Sequence, residues 1–181
     1  MNCSNCSLKD NLMVKGQIGT INSIVLIGEA PGYMETVKGK PFCGKAGEEL
    51  RKTIKELGID FESLYVSNAV LCRPVNSDDI NRTPTENEIL NCNGRLIESI
   101  KNINPKVVIA LGKVAYFALV NRDNKLSNII MSNVVGKFYP TEFGFLVFST
   151  YHPAFLLRNN KFRIIFRNHL VEAFRKAEVI K

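Results

Sequence analysis

Hydrophobic and polar positions alternate along the chain in blocks that read as strand, helix, strand, helix. The run Ser23-Ile24-Val25-Leu26-Ile27 is almost unbroken in its apolar character and stops at Gly28, which predicts a buried strand. Residues 45–57 then set Leu50, Ile54 and Leu57 at helical spacing, with Gly58 as a natural stop. Residues 64–71 read as a second strand, and the polar stretch 73–82, rich in Asn, Asp and Pro, as a loop. Thr83-Pro84-Thr85-Glu86 offers a Thr cap, Pro at the first helical position and Glu three residues after the cap. That helix should run to about residue 103, turning Ile89, Leu96, Ile100 and Ile103 inward, and end at Asn104-Pro105. Residues 106–111 predict a third strand, Gly112 turns the chain into a helix through Val120, and residues 145–148 predict a fourth strand. The tail, residues 160–180, reads as a helix with one basic and one apolar face.

Strand and helix in alternation, with strands apolar on both faces, imply an α/β fold: one domain over residues 1–181, built on a four-stranded, mainly parallel sheet with helices on both faces. Ligands in such folds bind at the carboxyl ends of the strands. Three candidate elements fall there: the loop Gly28-Glu29-Ala30-Pro31-Gly32, Asn68 near the end of the second strand, and His152 just past the fourth. The loop is neither a P-loop, since no Gly-Lys-Ser/Thr follows, nor a dinucleotide fingerprint. Asn68 is a poor strand former, so its polarity needs a partner, in the backbone or in a ligand. His152 alone fits a structural histidine as well as a functional one.

Composition narrows the class. The 181 residues are 45% hydrophobic and 23% charged, ordinary for a protein with its own core. No apolar run reaches the roughly 18–20 residues of a membrane span, and the N-terminus lacks a signal-peptide pattern, so a cytoplasmic protein is expected. The net charge of +7 is concentrated: from residue 151 onward, seven basic residues face two acidic ones. A basic end suits a polyanion such as nucleic acid, although many basic surfaces bind nothing in particular. Five cysteines in that compartment argue against disulfides. Cys3 and Cys6 form a C-x-x-C, Cys72 and Cys92 stand downstream, and Cys43 is left over.

Taken together, five stretches in order resemble the family-4 uracil-DNA glycosylases, the iron–sulfur branch of that superfamily. They are Gly28-Glu29-Ala30-Pro31-Gly32, residues 39–47 (Gly-Lys-Pro-Phe-Cys-Gly-Lys-Ala-Gly), residues 68–74 (Asn-Ala-Val-Leu-Cys-Arg-Pro), Asn81-Arg82-Thr83-Pro84, and residues 152–158 (His-Pro-Ala-Phe-Leu-Leu-Arg). The resemblance covers essentially the whole chain. It implies a uracil-DNA glycosylase-like fold and a DNA repair enzyme that hydrolyses the N-glycosidic bond of uracil, acting as a monomer on uracil-containing DNA and releasing free uracil. It assigns Cys3, Cys6, Cys72 and Cys92 to one [4Fe–4S] cluster; tetrahedral zinc uses the same ligand set and stays open on the residues alone.

The resemblance also assigns the pocket. Phe42 stacks on the extruded base, Asn68 hydrogen-bonds the uracil edge, His152 donates to its O2, and Gly28 and Ala30 complete the base subsite. Glu29 and Glu35 are the candidate water activators, Glu29 leaning to pocket structure and Glu35 an equal candidate for the chemistry. Leu156 or Leu157 is expected to wedge into the gap left by the base, with Arg158, Lys161 and Arg163 on phosphates. The chain departs from the family in a longer stretch between Arg73-Pro74 and Asn81-Arg82, and in Cys43 where the family usually has Val. Relatives that crosslink to abasic DNA carry Gln in the first motif and a further histidine; here Glu29 stands there, and His152 and His169 are the only histidines, so crosslinking is not expected. The competing reading is a non-catalytic iron–sulfur or zinc nucleic-acid-binding module associated with replication, which would not need Phe42, Asn68 and His152 together.

Overall fold

Alternate side chains of the first apolar run serve two cores at once. β1 (Ile21–Gly28) sends Ile24 and Leu26 to one face of the sheet and Val25 and Ile27 to the other, and all four are fully buried. In the computed structural model, which describes residues 3–181, β1 is followed by α1 (Tyr33–Lys38), α2 (Lys45–Glu56), β2 (Leu64–Asn68), α3 (Glu86–Ile103), β3 (Val107–Leu111) and α4 (Lys113–Val120). The chain continues through α5 (Met131–Val134), β4 (Lys137–Pro140), β5 (Leu146–Thr150), α6 (Pro153–Arg158) and α7 (Arg163–Lys176). Helices α3 and α4 cover one face of the sheet, and α2, α6 and α7 cover the other. No helix among the described residues is long and apolar enough to cross a membrane.

The sheet has five strands in the order β2-β1-β3-β5-β4, not the four expected. The additional strand, β4, pairs antiparallel with β5 at the sheet edge, while every other pairing is parallel. It is only four residues long, ends in Pro140 and has no fully buried position, so it carries no apolar run to announce it. α3 also begins two residues later than expected. Two overlapping Thr-x-x-Glu pairs compete there, and the chain uses the second: the Thr85 hydroxyl accepts from the Glu88 N–H, and the Glu88 carboxylate accepts from the Thr85 N–H.

Strand order reverses on either side of β1, which places a crevice at the carboxyl ends of the sheet. The parallel register there sets Gly28 directly beside Asn68. Everything that follows at the site is built from that pairing.

Candidate active site

A cleft of about 750 Å³ opens at this end of the sheet, walled by the loop after β1, α1, the loop before α2, the end of β2, the residue 74–83 loop and the start of α6. Phe42 reaches it through an unusual backbone: its φ of 52° lies in the left-handed region, rare for an aromatic residue. Two contacts hold it there. Gly47 packs so closely that a Cβ would fall 2.0 Å from the Phe42 carbonyl oxygen, and the Arg51 Nε–H donates to that same oxygen at 3.1 Å. The ring is buried and lies 6.2 Å, centroid to centroid, from His152 at a tilt of 31°.

Asn68 is buried at the end of β2, yet no described group hydrogen-bonds its side-chain amide, which faces the cleft. A buried amide without a protein partner is costly unless a ligand or water completes it. Gly28 does not line the cleft. It is the spacer beneath it: a Cβ at this position would lie 2.5 Å from Asn68 Oδ1 and 2.5 Å from the tip of the Phe42 ring. Ala30 does line the cleft.

His152 is the N-cap of α6, and its Nδ1 accepts the Ala154 N–H at 3.2 Å. A ring nitrogen that accepts is unprotonated, so the neutral ring carries its hydrogen on Nε2 and presents a donor. Burial lowers the imidazole pKa to about 4, which keeps the ring neutral near pH 7. Gly112, at φ +90°, leaves room for it; a Cβ there would come 2.8 Å from the His152 Cβ.

The two glutamates divide differently from expectation. Both Glu35 oxygens are engaged by backbone N–H groups, from Gly32 and Gly44, each at 3.1 Å, so this carboxylate ties together the two loops that wall the cleft. The Glu29 carboxylate has no hydrogen-bond partner among the described residues, lines the cleft, and is raised by burial to a pKa of about 7. It is the carboxylate free to act on a ligand or water.

Further corrections concern the rim. Leu156 is fully buried in the core beneath α6 and cannot reach DNA, whereas its neighbour Leu157 is 45% exposed. A helix turns successive residues about 100° apart, so only one of the pair can face solvent. Arg163 is engaged in a two-point ion pair with Glu49 of α2, at 2.7 and 3.1 Å, which leaves less of its charge for a phosphate. Arg158 and Lys161 are exposed, and Arg158 lines the cleft together with Lys45 and Arg82.

The profile of the uracil DNA glycosylase superfamily matches residues 17–177. The chain belongs to the uracil-DNA glycosylase superfamily. Curated relatives place it beside the type-4 branch. It is 40% identical to a type-4 uracil-DNA glycosylase of Saccharolobus solfataricus over 97% of this chain and 80% of the relative. It is 37% identical to the type-4 enzyme of Thermotoga maritima, over 97% of this chain and 88% of that one, and 36% identical to that of Archaeoglobus fulgidus, over 90% and 82%.

In this superfamily member a second, smaller cavity, of about 140 Å³, is lined by Cys3, Cys6, Cys72 and Cys92 with apolar walls from Leu8, Met13, Val70 and Leu71. The N-terminal segment reaches it by laying Met13 antiparallel to Cys72, with the Val14 N–H donating to Leu71 O at 2.9 Å. Burial, followed by the charges of Cys92, Cys6 and Cys3, pushes the Cys72 thiol up to about 11. A thiolate at Cys72 is therefore favoured only by cationic charge beside it. Among the described residues no three Cys, His, Asp or Glu side chains are drawn together closely enough to hold a single metal ion. Cys43 stands apart, beside the base subsite; its thiol donates to Met34 O at 3.3 Å and burial raises its pKa, so it is not a ready thiolate.

The residue patterns gave no sign of two charged groups near this cavity. Glu88, 1% exposed, accepts from Arg82 through both oxygens and from the Ser7 hydroxyl, which joins the N-terminal segment, the residue 73–82 loop and α3. The Arg82 guanidinium, with these other bonds, lowers its pKa to about 2. Arg95 is the second, and its Nη2 donates to the carbonyls of Asn68 and Ala69. Their roles needed the fold, because Ser7 lies 81 residues from Glu88 and the carbonyls that Arg95 reaches lie 27 and 26 residues from it.

Proposed function

We propose that this protein removes uracil from DNA by hydrolysing the N-glycosidic bond, leaving an abasic site and free uracil. The observation that carries the reading is the convergence of a buried unpartnered amide, an aromatic ring and a neutral imidazole donor on one cleft. A non-catalytic DNA-binding module has no use for such a buried, unpartnered amide.

The target base must leave the stack, at a cost of a few kcal/mol that pocket contacts recover. Phe42 stacks on its face. The Asn68 amide accepts from N3–H and donates to O4; cytosine offers the opposite pattern and is rejected. As the glycosidic bond breaks, negative charge grows on uracil O2 and the His152 Nε2–H donates to it. Glu29, as the carboxylate, orients the attacking water and faces the positive charge developing on the sugar. Glu35 keeps the two loops in register, Leu157 fills the vacated stack, and Arg158 and Lys161 hold phosphates. The enzyme acts as a monomer in this reading.

Cys3, Cys6, Cys72 and Cys92 hold a [4Fe–4S] cluster. The four cysteines line one cavity of about 140 Å³, a thiolate set that holds such a cluster; tetrahedral zinc takes the same ligands and is the competing assignment. The cluster supplies a covalent tie among the N-terminal segment, the end of β2 and α3, and takes no part in cleavage.

The test is excision from uracil-containing oligonucleotides. His152→Ala should lower the rate by about 10²–10³-fold, and Asn68→Ala should abolish discrimination between uracil and cytosine. Unchanged excision in both variants overturns the site. Iron and sulfide analysis with the absorbance near 400 nm tests the cluster; stoichiometric zinc without iron overturns it.

A further inference from the structure

Arg95 sits on α3 three residues after Cys92, with its guanidinium turned into the protein. No described carboxylate pairs with it. Its Nε–H is fully buried and has no hydrogen-bond partner, and its only acceptors are the main-chain carbonyls of Asn68 and Ala69, each 3.2 Å from Nη2. A buried cation with an orphaned donor is expensive unless a negative group completes it. The negative groups in electrostatic range are Cys92, Cys72 and Cys3, together with Tyr65. The same side chain thus lies within electrostatic range of three of the four cysteines, one helical turn past Cys92, and grips the end of β2.

We propose that Arg95 is a positioning residue shared by two sites, balancing the negative charge of the four-cysteine cluster and clamping the strand end that presents the Asn68 amide to the base. The inference rests on the cluster assignment above. It gives the orphaned Nε–H an acceptor class, thiolate or sulfide sulfur. It also explains why a desolvated arginine is tolerated without a carboxylate. A fixed cation favours the more electron-rich state of a neighbouring cluster, so its removal makes oxidation easier. The planar fork that reaches two carbonyls has no equivalent in lysine, although lysine keeps the charge. The two roles can therefore be separated by substitution.

The experiment compares iron-loaded wild type, Arg95→Met and Arg95→Lys by iron content, by the rate at which ferricyanide bleaches the absorbance near 400 nm, and by calorimetric Kd for free uracil. Arg95→Met should bleach about tenfold faster and bind uracil about tenfold more weakly, the size expected for losing a charge-assisted contact. Arg95→Lys should bleach at the wild-type rate while uracil binding stays weakened. A fully iron-loaded Arg95→Met that bleaches like wild type overturns the charge role, and wild-type uracil affinity in Arg95→Lys overturns the clamp. Should Arg95→Met fail to fold, the lysine variant alone decides: its uracil affinity must fall. Wild-type protein without iron would instead sink the cluster assignment, and that result is visible before any variant is compared.

Discussion

A methyl group at position 28 would meet the Asn68 amide oxygen and the Phe42 ring tip at once, each at 2.5 Å. Gly28→Ala should therefore cut excision and free-uracil affinity at least tenfold while costing about 1–3 kcal/mol of stability, the usual penalty of overpacking; activity assays and denaturant melts read the two effects separately. The glutamate beside it sets the pH response. With Glu29 raised to about 7, kcat/KM should climb with pH through a midpoint near 7, and Glu29→Gln should lower the rate and erase that limb. His152, at about 4, adds no limb above pH 5. The same shifts act on stability with opposite signs. Glu29 contributes below pH 4.5 and loses that contribution as pH rises through 7, whereas burial of neutral His152 contributes above 6.5 and is lost as pH falls towards 4. That Phe42, Asn68 and His152 meet in one cleft could be expected from the sequence, because each stands in a short run of characteristic neighbours. The parts of Gly28, Gly47 and Gly112 could not be, since a glycine's job here is decided by side chains or backbone that approach from other elements.

Among the elements, strands with continuous apolar runs were found where expected: β1, β3 and β5 sit inside the sheet and β2 forms one edge, and all four are largely buried. What escaped was short or peripheral. α1 spans six residues with none buried, α5 spans four, and β4 lies on an edge; such segments are defined by what they pack against more than by their own pattern. The start of α3 was misplaced because its capping glutamate is chosen by Arg82 and Ser7, not by local spacing. Breaking that network leaves buried groups unpaired. Glu88→Gln should cost about 3–5 kcal/mol in denaturant unfolding. Because its carboxylate titrates near 2, the stability that Glu88 lends is complete above pH 4.5 and disappears as pH falls through 2. α6 supplies a paired comparison: Leu156→Ala should destabilise by about 2–5 kcal/mol, whereas Leu157→Ala should leave stability nearly unchanged and slow excision from duplex DNA.

For the molecule as a whole, the surplus of positive charge predicted a polyanionic partner, and the cleft rim carries Lys45, Arg82 and Arg158. DNA affinity should fall steeply with salt, and Arg158→Ala should reduce the log–log salt slope by about one. Arg163→Ala should change that slope less and cost more stability, since its Glu49 partner is only 10% exposed and would be left alone.

The N-terminal segment is stitched to the body at Ser7, Val14 and Gln17, to residues between 61 and 88, and its two cysteines share a cavity with those at 72 and 92. Synthesis runs from the N-terminal side, so this segment is made well before the residues it docks against. Cys3 and Cys6 therefore stay uncovered until residues 72 and 92 have been made, and this corner of the fold closes late relative to the synthesis of its own N-terminal side.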